Sequence, residues 1–171
     1  MVYGFFNFVT KKFNRRTRIS STTKFLNRKN LDISDNVWVW HYSILDASAS
    51  IKINEGVQIG AWVGIFTHSS HNAIRLNGNK YFDFSPNERV GLIIESVEIG
   101  AYTFIGASAI ILPGVTLGKG CIVGAGSIVN KSFPDFSIIS GNPAVLIGNT
   151  NKIDKFFLRD NFNIKNYYDK K

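Results

Sequence analysis

From Ile93 onward an aliphatic side chain returns at every sixth position: Ile93, Ile99, Ile105, Ile111, Leu117, Val123 and Val129. Four residues after each stands a small or β-branched residue, from Val97 through Thr103, Ala109, Val115 and Cys121 to Ser127, until Phe133 breaks the run. The same phase is visible earlier in Ile33, Val39 and Leu45 and, after a slip of two residues, in Ile53, Ile59 and Ile65. A helix would bring its apolar stripe back every three or four residues and a two-faced strand every two, so neither carries this pattern. Short flat strands separated by tight turns do carry it. Each strand presents one aliphatic side chain inward, and Gly or another small residue makes the turn, as in "IGAYTF", "IGASAI", "LGKGCI" and "VGAGSI". Three hexads close one coil, and coils stack at about the 4.8 Å strand spacing. Roughly thirteen hexads, or about four coils, make a continuous core because each repeat buries its apolar face only against its neighbours.

Between Ser69 and Leu92 the pattern lapses into "HNAIRLNGNKYFDFSPNERVG", a polar, aromatic and charged run. A solenoid tolerates an insertion at a corner, and long excursions of this kind are more often functional than accidental. Two of the three histidines, His68 and His71, stand at its start. An imidazole titrating near neutral pH is the side chain best suited to take a proton from a weak nucleophile such as a hydroxyl. Glu95, just after the loop returns, is a candidate carboxylate to orient that imidazole, with a solvent-facing strand carboxylate as the alternative. Trp62 and Tyr81 offer amphipathic aromatic faces on which a ligand ring can stack, or they pack in the core or at a subunit interface.

The run "IGASAIILPGVTLGKGCIVGAGSIVNKSFPDFSIISGNPAVLIG", residues 105 to 148, resembles the hexapeptide-repeat acyltransferases in its "LPGV" step, its "GAGS" step and its closing "GNPA". The likeness covers roughly residues 33 to 148. It implies an all-β fold, a left-handed parallel β-helix with a protruding loop and short N- and C-terminal extensions, usually assembled as a homotrimer. The loop "HSSHNAIRLNG" is similar to that of sugar acetyltransferases of the maltose and galactoside type. Laid on that pattern, His68 takes the place of the catalytic base and His71 a second, non-essential histidine. Arg75 opens the "R-x-N-G" ending and joins Trp62, His71 and Tyr81 as an acceptor-binding candidate. The resemblance further implies acetyl-CoA as co-substrate, a backbone N–H at Ala107 facing the oxyanion, an aromatic at Phe104 where many relatives carry Trp, and Gly124, Ala125 and Lys131 along the CoA groove. Relatives commonly continue with basic residues after "GNPA", whereas this chain reads "GNPAVLIGNTNK". The nucleotide end of CoA would then fall to Lys152, or to Lys155 and Arg159 from the tail.

The rest of the composition narrows the picture. At 171 residues with 44% hydrophobic and 19% charged content, one domain is expected. Its divisions are a basic aromatic extension at 1–30, the β-helix at 31–148 with an insertion at about 70–92, and a helical tail at 149–171. Eight basic and no acidic residues fall in the first thirty, behind an aromatic cluster. That suits a peripheral contact at an anionic membrane face better than a nucleic-acid surface, while packing of the aromatics onto the domain is the blander reading. No apolar stretch approaches the roughly 20 residues that span a bilayer, so a cytoplasmic protein is expected. Cys121 is read as a buried interior residue. No metal is expected: His41, the third histidine, lies about 25 repeat positions before His68, not a multiple of eighteen, so the two do not stack as zinc ligands. A sugar hydroxyl of a capsule or O-antigen is the preferred acceptor. A free sugar or amino-sugar nucleotide is the alternative, and a non-catalytic binding module the reading from another class.

Overall fold

The structure, a computed structural model, describes residues 1–159 and 167–169. Three sheets of short parallel strands form the walls of a triangular, left-handed parallel β-helix. The first wall stacks Arg18-Ile19, Trp38–Val39, Gln58–Ile59, Phe104–Ile105, Ile122–Val123 and Ser137–Gly141. The second stacks Lys24–Leu26, Ile44–Asp46, Gly64–Phe66, Ile110–Ile111 and Ile128–Val129. The third holds Leu31–Ile33, Ile51–Ile53, Val97–Ile99 and Thr116–Leu117, with Phe133 bridged to Leu117. In-register pairing turns the hexad into columns: Val39, Ile59, Ile105, Val123 and Ile139 rise in one, Leu45, Ile65, Ile111 and Val129 in the next, all buried. Truncating any of these to Ala opens a cavity worth about 2–5 kcal/mol.

The glycines that follow Ile59, Ile99, Ile105, Leu117 and Val123 are required by stacking rather than by φ. A Cβ on Gly60 would stand 2.6 Å from the Ala107 nitrogen, and one on Gly106 2.5 Å from that of Ala125. Coils therefore touch backbone to backbone along the edge between first and second walls, at 60–63, 106–109 and 124–127.

Three expectations are corrected. Residues 12–30 are the first coil, not an extension: Ile19 pairs with Val39 and Phe25 with Leu45. Its outward positions are so basic that the apolar column is masked, and the stack is accordingly taller than four coils, with six parallel strands in the first wall. Ile93 is not a core rung; it pairs antiparallel with Ser69 in the stem of the loop. The two-residue slip lies at the edge between second and third walls, where Leu45 leads to buried Ile51 but, later, Ile111 leads to buried Val115 after a shorter turn. The loop leaves from this wider edge.

The ends are closed differently. Val2–Asn7 folds back antiparallel on Lys12–Ile19. Buried Asn7 fixes the turn: its amide donates to the Asp32 carboxylate and the Ile33 carbonyl, and its oxygen accepts the Val9 and Thr10 N–H groups. Phe5 packs inside against Phe25, whereas Phe6, Phe8 and Phe13 stay exposed. At the other end Ala144–Asn149 folds back on Ser137–Gly141 and leads into a helix at Thr150–Arg159, anchored by Thr150 to the Gly120 carbonyl. The remainder of the tail that the sequence assigns to a helix, 160–166 and 170–171, lies outside the described residues.

Candidate active site

The wide edge builds the site. Thr67, buried where the second wall ends, donates its hydroxyl to the Asp46 carbonyl one coil below and accepts the Ala49 N–H. That clamp holds the next residue, His68, over the turn beneath. The stem of the loop is short: His68–Ser69 pairs with Ile93–Ile94, and the Glu95 N–H returns to the Thr67 carbonyl. His68 Nδ1 lies 3.0 Å from Asp46 Oδ2, the Asp46 side chain being 4% exposed and that of His68 43%. The other Asp46 oxygen accepts the backbone N–H and the hydroxyl of Ser48 at 3.1 and 2.7 Å. A carboxylate fixed in this way against Nδ1 selects the tautomer with a proton there and leaves Nε2 with its lone pair.

His68 lines a cavity of about 340 Å³ with Asn27, Ser48, Tyr81, Arg89 and Leu92. Its far wall is the folded loop. A short helix at Ala73–Asn77 is tied to the returning strand by the Asn77 side chain, which bonds both backbone groups of Val90. Arg89 lies 4.3 Å over the Tyr81 ring and donates to the Tyr81 carbonyl. One wall away, on the outer surface of the first wall, Trp38, Trp40, Gln58, Phe104 and Ala107 enclose a second, mainly apolar cavity of about 300 Å³.

The bacterial transferase hexapeptide family, described as six repeats, matches residues 96–131. Those residues carry the repeats of that family. A relative from Escherichia coli strain K12 carries the provisional name lipopolysaccharide biosynthesis O-acetyl transferase WbbJ; it is 31% identical over 124 residues, 72% of this chain and 63% of that one. Across the first three curated relatives the hexapeptide-repeat chain spans only 37% to 63% of their length. Among solved structures, the hexapeptide-repeat acetyltransferase VCA0836 of Vibrio cholerae, complexed with acetyl coenzyme A, superposes with a TM-score of 0.68 at 22% identity over 78% of this chain and 68% of its own. A maltose O-acetyltransferase of Clostridium difficile 630 gives 0.63 at 23%, covering 78% and 66%. These structures share the fold.

Within this hexapeptide-repeat frame the candidates from the sequence fall into two groups. His68 and Tyr81 meet at the loop cavity; Phe104 and Ala107 meet at the first-wall cavity, with Gly124 and Ala125 one coil further on along the same edge. The second wall separates the groups within one chain. Lys131 stands on the loop-side edge, 5.6 Å over the Phe133 ring, away from Gly124. Trp62 is on the first edge, stacked 6.0 Å from Tyr42, and not beside His68. His71 bonds the Ser69 hydroxyl at 2.7 Å, and Arg75 spends its guanidinium on the His71 carbonyl and the Asn72 side chain, bracing the loop from within. Lys155 lines a cavity with Asp154 and Asp169 rather than the edge of Gly124.

Glu95 is the clear correction. Its carboxylate lies over Gly114, where a Cβ would come within 2.2 Å of Oε2, and Asp46 occupies the orienting position instead. Asp46 was missed because proximity along the chain favoured Glu95. Stacking is what joins them: Phe66 pairs with Asp46, which sets His68 over the "DAS" turn one coil below. Ser48, Asn27 and Arg89 were also missed, and no pattern in the hexads points to them.

Proposed function

We propose that the protein is an acetyl-CoA-dependent O-acetyltransferase acting on a sugar hydroxyl of a bacterial surface polysaccharide or its precursor. The observation that carries this reading is His68, held at Nδ1 by buried Asp46 and opening on a cavity a sugar ring can enter. His68 Nε2 takes the proton of the acceptor hydroxyl as its oxygen attacks the thioester carbonyl. The carbonyl oxygen becomes an oxyanion, for which the Ala107 N–H, with no acceptor among the described residues, is the donor. Collapse breaks the carbon–sulfur bond, and the imidazolium returns its proton to the CoA thiolate. Asp46 stabilises the imidazolium in between.

The two groups of residues come together if copies assemble as a homotrimer, one chain's first edge against the next chain's loop. The outer surfaces support this. The third wall faces outward with Asp32, Lys52, Glu98 and Thr116, whereas the second presents Ile44, Gly64, Phe66, Ile110 and Ile128 beside Lys24, and the first Trp38, Phe104, Ile122 and Ile138 beside Arg18 and Gln58. Two mainly apolar outer walls and one polar wall suit a three-fold bundle of prisms. On the same reading the protein is cytoplasmic and touches the inner membrane face through the tip of its N-terminal hairpin, where Phe6, Phe8 and 59%-exposed Phe13 flank Lys11 and Lys12. Replacing the three phenylalanines with Ser should abolish sedimentation with anionic liposomes; unchanged sedimentation refutes that contact.

The activity is tested by CoA thiol release from acetyl-CoA with free sugars, nucleotide sugars and lipid-linked or polymeric glycans as acceptors. Acceptor-dependent release is expected. No release with any acceptor, together with no binding in an acetyl-CoA titration, contradicts the proposal.

A further inference from the structure

A third cavity, about 250 Å³, adjoins the apolar one on the first wall, and its lining is polar: Arg16, Arg18, Asn36, Gln58 and Tyr102. The two share Trp38 and Gln58, so they form one slot. Phe104, Gln58, Trp38 and Arg18 are register partners on successive strands, which puts the arginine end about 14 Å from Phe104 at the usual strand spacing. Of the positions likened to the CoA site, Phe104 and Ala107 border the apolar cavity, whereas Gly124 and Ala125 lie further along the stack in the direction away from the arginines.

The arginine end is built for an anion with several oxygens. Arg18 stacks 5.3 Å from the Tyr3 ring and 5.5 Å from that of Trp38, and forms no ion pair among the described residues. Its fork is thus held in orientation while its charge is unanswered. Arg16 is paired with Asp35 at 3.3 Å and more loosely with Glu55 at 3.8 Å, and its side chain is 68% exposed. The Trp38 side chain borders both cavities, and its Nε1 is buried without an acceptor among the described residues. Two guanidinium forks suit phosphate oxygens, and the Trp38, Trp40 and Phe104 rings suit the apolar face of a pyranose.

We infer that the slot binds a glycosyl phosphate or diphosphate, with the sugar on the aromatic rings and the phosphates at Arg16 and Arg18. This rests on the acetyltransferase reading in one respect: the bound compound is then the acceptor, a sugar activated by a nucleotide or linked to a lipid, rather than a free sugar or a finished neutral polymer.

The test is calorimetric titration of the full-length protein with inorganic pyrophosphate, a uridine diphosphate sugar, farnesyl diphosphate and the corresponding free sugar. The phosphate-bearing probes should bind, the free sugar at least tenfold more weakly. Arg16→Gln and Arg18→Gln should each weaken the diphosphates about 10- to 100-fold, the range for charge-assisted hydrogen bonds, and leave acetyl-CoA affinity unchanged. Arg16→Gln is the safer variant, since Arg18 also ties down the hairpin. A preference for the uridine or the farnesyl compound identifies a nucleotide or a lipid as the carrier. The inference is overturned if wild type binds none of the diphosphates, if the variants bind them equally well, or if acetyl-CoA weakens in parallel, which would make the cleft part of the cofactor site. Acetyl-CoA binding by the wild type, measured on the same sample, reports separately on the acetyltransferase reading.

Discussion

Two successive turns of one edge of the prism have very different lengths. At 47–50 the chain passes from second to third wall in a tight polar turn. One coil later the same edge runs from Thr67 to Ser96 through a stem, a short helix and a folded loop. The walls on either side do not register the difference: Asp46 pairs with Phe66 before the turn, and Ile51 with Val97 after it. The excursion therefore costs the stack nothing in alignment, as expected where each coil contacts only its neighbours. Nor does the elaborate turn complete the site alone. It supplies the imidazole, and the plain turn supplies the carboxylate that holds it.

The comparison can be broken in steps of decreasing size. Replacing residues 70–92 with a turn like that at 47–50 should abolish acceptor-dependent CoA release, while circular dichroism and the melting temperature stay near wild type, because no core column is cut. Asp46→Asn keeps the shape of the plain turn but presents Nδ1 with an ambiguous partner. It should lower kcat about 10- to 100-fold with KM little changed, as loss of an orienting carboxylate does. Ser48→Ala removes one hydrogen bond from the carboxylate; at about 1 kcal/mol the loss in kcat is roughly fivefold.

The smallest effect lies on the polar third wall. There Lys52, and then Asn54, hydrogen-bond Glu98 and hold its carboxyl below the usual glutamate range. A lowered folded value means that the pair's contribution is present above the ordinary glutamate pKa and is lost as pH falls through the lowered one. Glu98→Gln should flatten that acid limb in thermal melts, cost less than about 1 kcal/mol at neutral pH because both partners are exposed, and leave kcat unchanged.

What was legible in the sequence follows from the same physics. Inward positions admit only aliphatic or small side chains, so the columns from Ile99 to Val129 announce themselves at a fixed spacing. The first coil did not, because its outward strand positions, among them Arg16, Arg18 and Lys24, mask Ile19 and Phe25. His68 was visible because the loop interrupts a strong pattern. Asp46 was not, since its partner lies a full coil away and the early coils are longer than three strict hexads: Val39 pairs with Ile59, whereas Ile105 pairs with Val123. The first-wall slot was half visible, through Phe104 and Ala107. Trp38, Gln58 and the arginines join it only when the wall is stacked.

The most direct test of the account is a double-mutant cycle on CoA release with His68→Ala, Asp46→Asn and the two combined. If Asp46 acts through the His68 imidazole, His68→Ala loses about 10²- to 10⁴-fold in rate and adding Asp46→Asn costs nothing further. Independent, multiplying losses, or an active His68→Ala protein, would contradict it.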